Sequence, residues 1–409
     1  MPDADVLVIG AGAAGIAAAR ALVAAGRSVL VLEARDRVGG RAWTIDTPEG
    51  AFDAGASWLH SGRTNPLTPL ARGLGVTLAD HDALGDEITF VGPRRASPAE
   101  VAARDAAQAG FYAHVKAAGP GPRGVPIPTG PWGPTIAAWA GDLISAAPLA
   151  AIDLHDFTAN ALDPPNLLPE GGFGHLVARL GGGLPIRLSC PVTALDWSGP
   201  GVVAQTAAGP VTAKHAIVTL PTPLLLDFAF SPPLPVPQQA AAEALPLGLL
   251  TKVLLPAAGA DRLDVVPFSV VDRQIAPGET LVTFLLWPFG QPHALGFVGG
   301  PVAWALADQP PSATIALMRA EIAARFGARG ESAFDWGRAI VTDWGRDPWS
   351  RGAYSHARPG QAAARGVLGT PLDAARRVIL AGEACHPTLA GTVGGAWESG
   401  LRAAAMITG

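Results

Sequence analysis

An α/β fold is predicted by three features of the N-terminal sequence. A short apolar run, Asp5-Val-Leu-Val-Ile9, ends in glycine; an alanine-rich stretch from Ile16 to Ala25 follows and is closed by Gly26; a second apolar run, Ser28-Val-Leu-Val-Leu-Glu33, is hydrophobic up to its acidic end. Strand, helix and parallel strand buried on both faces are the elements these patterns describe. Between the first strand and the helix stands Gly10-Ala-Gly12-Ala-Ala14-Gly15, so the unit reads as Rossmann-like. In such a turn Gly10 permits the tight bend, Gly12 lets backbone approach a pyrophosphate, and Gly15 lets helix and strand pack closely. The phosphate would meet the positive end of the helix. Glu33, 18 residues beyond Gly15, is placed to accept hydrogen bonds from ribose hydroxyls.

Later elements follow from similar signals. Helices are expected over about 97–117 and 136–150, separated by a Gly/Pro-rich loop at 118–135. From Ile186 to Leu220 short β-like runs, broken at 198–201 and 208–210, suggest an antiparallel meander. Strands are expected at Leu250–Leu255, Leu281–Leu286 and Ala294–Leu306, then a helix at about 312–327. Val378–Ala381 reads as a buried strand and Gly394–Ile407 as a final helix. No internal repeat is visible.

Composition bounds the function. The 409 residues are 49% hydrophobic and 15% charged, enough for a large core in two domains and not for general disorder. Net charge is −5 without a basic run, so nucleic acid is not an expected partner. Cys190 and Cys385 are the only cysteines; they make neither a disulfide framework nor a metal-ligand spacing. With no signal-peptide pattern at Met1–Asp5 and no run of ~20 apolar residues, a cytoplasmic protein without a membrane partner is expected.

The glycine fingerprint alone does not separate NAD from FAD. The following segment, Ala34-Arg35-Asp-Arg-Val-Gly39-Gly40-Arg41, resembles the flavin-containing amine oxidase family, which includes monoamine oxidases, polyamine oxidases and histone lysine demethylases. The resemblance continues in order along nearly the whole chain. Phe52-Asp-Ala-Gly55-Ala56-Ser57-Trp58-Leu-His60 is similar to the stretch beneath the flavin ring. Glu170-Gly-Gly-Phe-Gly174 and Pro191-Val192-Thr193 resemble the return to the FAD domain, with Val192 at the adenine. Ala213–Pro221 and Phe297-Val-Gly-Gly300 match further family strands. Near the end, Ile379-Leu-Ala-Gly382-Glu383 resembles the strand whose acid binds the ribityl or phosphate portion, and Gly391-Thr392-Val393 to Gly400 the last turn and helix beside the flavin pyrimidine.

The resemblance implies an FAD domain assembled from residues 1–72, 168–246 and 350–409, and a discontinuous mixed α+β substrate domain from 73–167 and 247–349. It implies oxidation of an amine to an imine, with O₂ as acceptor and hydrogen peroxide as product; a small-molecule amine and O₂ are the partners, and a homo-oligomer is left open. A flavin desaturase or dehydrogenase acting on a non-amine substrate, and a non-catalytic FAD-binding module, are the alternatives.

Catalytic candidates are few because hydride chemistry belongs to the cofactor. Lys252, one of three lysines with Lys116 and Lys214, lies in an apolar strand where an unpaired ammonium is costly; it aligns with the family lysine that reaches flavin N5 through a water, or points to solvent from an edge strand. Tyr354 matches one wall of an aromatic cage that guides an amine, and Thr392 stands where monoamine oxidases carry the second tyrosine. Trp344, Trp349 and Trp397 are either further substrate walls or plain core. His60 either hydrogen-bonds an amine or is a satisfied loop histidine. Cys385 and His386 are read as structural. Asp80, Asp82, Asp86, Glu87, Asp105, Asp153 and Asp156 attract cations or make a solvated face.

Monoamine oxidases attach flavin through a cysteine immediately before the cage tyrosine; here that residue is Ala353, which offers no nucleophile. FAD is therefore expected to be non-covalent. Acid precipitation of the holoprotein should leave a yellow supernatant, and a yellow pellet would refute this.

Overall fold

The computed structural model describes residues 2–119, 121 and 123–409. Met1, in the expected lead into the first strand, and Pro120 and Pro122, in the expected loop at 118–135, lie outside the described residues.

Two sheets organise the chain. In the first, Ala4–Ile9 lies between Val29–Leu32 and Gly209–Val218, parallel to both, and Ile186–Arg187 continues beyond Val29–Leu32. The ten-residue strand Gly209–Val218 has its other edge shared. Its first half pairs antiparallel with Val202–Thr206, and its last three residues pair parallel with Val378–Leu380. Val192–Asp196 and Ala229–Ser231 complete that side. The meander and the parallel βαβ unit are thus one sheet joined through a single strand.

Helices Ala13–Ala24 and Val393–Thr408 pack on one face of this sheet. Glycine permits their close approach: a Cβ on Gly400 would stand 2.0 Å from the Ala14 carbonyl oxygen, and one on Gly15 1.9 Å from that of Gly10.

The second sheet has seven strands in the order Ile340–Val341, Leu250–Pro256, His293–Gly299, Thr283–Leu286, Ser269–Arg273, Glu87–Val91 and Arg94–Arg95. All pairings are antiparallel except Ser269–Arg273 with Glu87–Val91. A hairpin, Thr44–Thr47 with Gly50–Asp53, leads from the first sheet toward the second. Its last residue, Asp53, is buried and accepts from Thr44 Oγ1 (2.5 Å) and the amides of Phe173 and Gly174 at the start of helix Phe173–Leu180. A carboxylate at a helix N-terminus is favoured by the exposed amides and the dipole there.

Several expectations change. The helix expected at 136–150 begins at Gly133, becomes a π-helix over Ala138–Ser145, and stops at Ala146 in the left-handed conformation (φ 55°). The run at 294–306 is not one strand: Gly300 (φ 65°) and Pro301 end it at Gly299 and start helix Gly300–Ala307, Pro being well placed in a first turn. The helix at 312–327 extends over Pro311–Ala333 with a kink at Gly327. The acids are not uniformly solvated either: Asp153 and Asp156 are buried, and Glu87 and Asp105 pair with Arg104. No helix among the described residues is long and apolar enough to cross a membrane.

The Gly15 contact is with backbone, which cannot move aside. Gly15→Ala should destabilise the protein by about 3 kcal/mol, read as a lower midpoint in chemical denaturation; an unchanged midpoint would show that the sheet and first helix are not packed this closely.

Candidate functional site

The end expected to hold the nucleotide is built around the start of helix Ala13–Ala24. Gly12 is its N-cap with extended backbone; no side chain caps it, and no acid lies in its first turn, which leaves amides and dipole for an anion. Gly10 has φ 103°, and a Cβ there would overlap Thr219 Oγ1. A Cβ on Gly12 would meet only the Gly40 Cα, at 3.9 Å. Packing therefore does not require Gly12, and the open space beside it fits a pyrophosphate. Gly39 N donates to Ala11 O at 2.8 Å, bringing the second glycine pair against the first, and Ala14 is buried in the first helical turn.

Glu33 is buried and accepts from the amides of Ala11 (2.6 Å) and Arg35 (2.9 Å). A carboxylate has about four acceptor positions, so capacity remains for ribose hydroxyls. Cys190 N donates to Glu33 O, which puts partly buried Val192 near the same end. Ala34 lies between Glu33 and Arg35 on this track. The Arg35 side chain is turned to the protein: it forks onto Asp347 (2.7 and 2.6 Å), donates to Ser350 Oγ, and lies over Trp344. Only its backbone amide turns toward Glu33 and the track expected to hold the nucleotide.

At the opposite end Arg41 Nη1 donates to Ala353 O (2.8 Å) and Glu383 Oε1 (3.0 Å). Ala56 N donates to Arg41 O, and a Cβ on Gly55 would stand 2.0 Å from that same oxygen. Gly382 donates to Ser399 Oγ, and Thr392 caps the final helix by accepting from Gly395 N just ahead of Val393. Burial alone would raise the Glu383 carboxyl, but Arg41 and Arg365, with donors on Ser355 and Gly391, hold it below its ordinary range.

Lys252 is the most unusual side chain. Its strand is flanked on both sides in the second sheet, so the edge-strand reading is excluded. The buried ammonium donates to Asp53 O (3.2 Å), Gly55 O and Ser57 Oγ (2.6 Å), with the rings of Trp58 and Phe297 at 5.6 and 5.7 Å. Burial pushes it down to about 8, against the pull of Asp53.

Tyr354 donates from its hydroxyl to Leu143 O (3.0 Å) in the π-helix. Its ring lies beside Gly391, whose Cβ would be 3.5 Å away. Burial raises the phenol above its ordinary range, so it stays protonated. His60 Nδ1 pairs with Asn166 Oδ1 (2.7 Å), and its ring is stacked near Trp58; burial lowers its imidazole and keeps it neutral.

Two expected substrate walls move into the interior. Trp397 is 4% exposed and packs with Ile16, Leu59 and Phe173. Trp344 is buried behind the segment it supports, with Nε1 donating to Ala54 O at 2.8 Å. Both present too little surface for a ligand. Trp349 is exposed. Cys385 and His386 are structural as expected: the thiol is buried, and His386 Nε2 pairs with Glu398. Among the described residues no cluster of metal-binding side chains occurs.

Asp53, Ser355 and Arg365 escape sequence reading. Asp53 lies within the Phe52–His60 motif, but its role becomes visible only through Thr44 and Phe173; Ser355 and Arg365 carry no local signal.

A sequence model described as flavin containing amine oxidoreductase matches residues 13–112 and 137–408. Lysine-specific histone demethylase 1 homolog 3 of Oryza sativa subsp. japonica is 28% identical over 443 residues, covering 98% of this chain and 54% of that protein. Lysine-specific histone demethylase 2 of Homo sapiens is 26% identical, covering 98% and 53%. The chain thus spans about half the length of these relatives. A solved putrescine oxidase with bound putrescine shares the fold, with TM-score 0.77, 21% identity, and coverage of 99% of this chain and 98% of that one.

Because the native Lys252 ammonium releases its proton near pH 8 and the unfolded one near 10.5, the unfolded chain binds more protons between these values, and stability rises with pH there. Compared with Lys252→Met, wild type should gain up to about 3 kcal/mol from pH 8 to 10.5 in denaturant titrations; parallel pH curves would show an ordinary lysine.

Proposed function

This chain belongs to the flavin containing amine oxidoreductase family, and from that premise we propose that it is an FAD-dependent amine oxidase that converts a C–N single bond of a small amine to an imine, with O₂ as final acceptor. Bound FAD would supply the hydride acceptor. Water would then release aldehyde or ketone, and reoxidation by O₂ would yield hydrogen peroxide.

The observation that carries this reading is the desolvated Lys252 ammonium at Ser57 and the Gly55 carbonyl. An amino group whose proton is lost near pH 8 is matched to moving a proton at working pH. Gly12, Gly39, Gly40, Glu33, Arg41 and Glu383 would hold the cofactor, with Thr392 and Val393 presenting a helix start to the flavin edge that gains negative charge. Tyr354 would orient the amine with its π face while remaining neutral, and the apolar surroundings of Trp58 and Phe297 exclude water from Lys252. Cys385 supports non-covalent binding: its thiol is buried and pushed up to about 12, far from the thiolate an attachment needs.

The relatives are named for action on histone lysine, which is also a secondary or tertiary amine when methylated. A small amine is preferred here because the putrescine oxidase that shares the fold over nearly its whole length is solved with putrescine bound.

Anaerobic mixing of the purified yellow protein with a panel of amines should bleach the flavin spectrum, and admitting O₂ should restore it with peroxide formation. Bleaching without recovery would replace the oxidase with a dehydrogenase; no response to any amine would sink both.

A further inference from the structure

Outside the direct cofactor contacts lies a buried charge chain that nothing so far explains. Arg365 is 1% exposed, and its five N–H donors meet five acceptors: Nε and Nη2 fork onto Asp156, Nη2 also reaches Ser355 O, and Nη1 reaches Ser355 Oγ (2.9 Å) and Ala384 O. Asp156, in helix Leu154–Ala159, accepts in addition from Ala357 N and Asn160 Nδ2. The neighbouring Asp153 accepts from Gly360 N at 2.6 Å. The stretch from Ser355 to Arg365 is therefore gripped by a helix that sequence reading did not predict and whose acids it left as cation-attracting or solvated.

A buried ion pair gains little net stability over apolar residues of similar size, so its presence calls for another account. We propose that Arg365 is a positioning residue of the cofactor site, acting through Ser355 on Glu383. The proposal rests on the assignment of Glu383 to FAD made above.

The direction of the relay follows from donor chemistry. A guanidinium can only donate, so with Arg365 Nη1 on Ser355 Oγ, the single hydroxyl proton must point the other way, to Glu383 Oε2 at 2.6 Å. Glu383 also receives Gly391 N at 2.8 Å and Arg41 Nη1 at 3.0 Å. Surrounded by donors, it is fixed as a carboxylate, and that carboxylate fixes Arg41. Ser355 is the residue after Tyr354, whose hydroxyl is tied to Leu143 O in the π-helix Ala138–Ser145, an element separate from the helix that supplies Asp156. One guanidinium thus registers Tyr354, Glu383 and Arg41 against one another.

The test is the FAD dissociation constant of the apoprotein, titrated by flavin fluorescence, with the apoprotein melting temperature measured in parallel. Ser355→Ala removes the relay alone; Asp156→Leu/Arg365→Met removes the buried pair together and leaves no unpaired charge. Each should weaken FAD binding about tenfold or more while melting within a few degrees of wild type. Ser355→Thr, which restores a hydroxyl, should recover affinity. Combining Ser355→Ala with the double replacement should weaken binding no further than either does, because all act through one relay. A Ser355→Ala protein within threefold of wild type, or losses that multiply in the combination, overturns the proposal. Wild-type protein that takes up no FAD overturns the assignment of Glu383 as well.

Discussion

Lys252 reaches out of the second sheet to the carbonyls of Asp53 and Gly55 and to Ser57, the segment that follows the hairpin at 44–53. A buried ammonium left without acceptors is costly. Wherever that strand goes, the segment must supply its oxygens, so one desolvated charge sets the separation of the two sheets along this line. Asp53 gives the arrangement its rigidity: its backbone receives Lys252 while its carboxylate is fixed by Thr44 and by the start of helix Phe173–Leu180. Three elements distant in sequence thus converge on one charge, and the surface expected to face the flavin is held from behind.

The alanine and glycine content, which first looks like mere bias, acquires a purpose in the first sheet. Helices Ala13–Ala24 and Val393–Thr408 approach until Gly400 touches the Ala14 carbonyl. Larger side chains would hold them apart and displace the helix starts that would meet the two ends of the cofactor.

What could be read from sequence was local. The βαβ unit shows itself within 35 residues because strand, glycine turn, helix and strand each carry their own periodicity. Strands Glu87–Val91 and Ser269–Arg273 escaped notice because they complete each other across more than 180 residues, and neither run is apolar enough alone. The same holds for charge: Asp153 and Asp156 look like surface residues until Arg365 and the 357–360 amides, about 200 residues on, close over them. Trp397 illustrates the reverse error. Its place in a family motif suggested a ligand contact, while helical spacing from its neighbours buries it against Ile16 and Phe173.

The π-helix at Ala138–Ser145 carries the Leu143 carbonyl that receives Tyr354. Such a stretch is an α-helix widened by one residue, and its register is therefore a matter of chain length. Deleting one residue before Leu143 would turn all that follows by about 100° about the helix axis and present a different carbonyl, or none, to the tyrosine. The same turn would carry Leu143 away from Leu254, Leu295 and Phe297 of the second sheet, against which it packs, so that contact would be rebuilt as well. Insertion and deletion here, more than substitution, offer evolution a way to reshape the surroundings of Tyr354, the proposed amine side, at a distance in sequence from the proposed cofactor track.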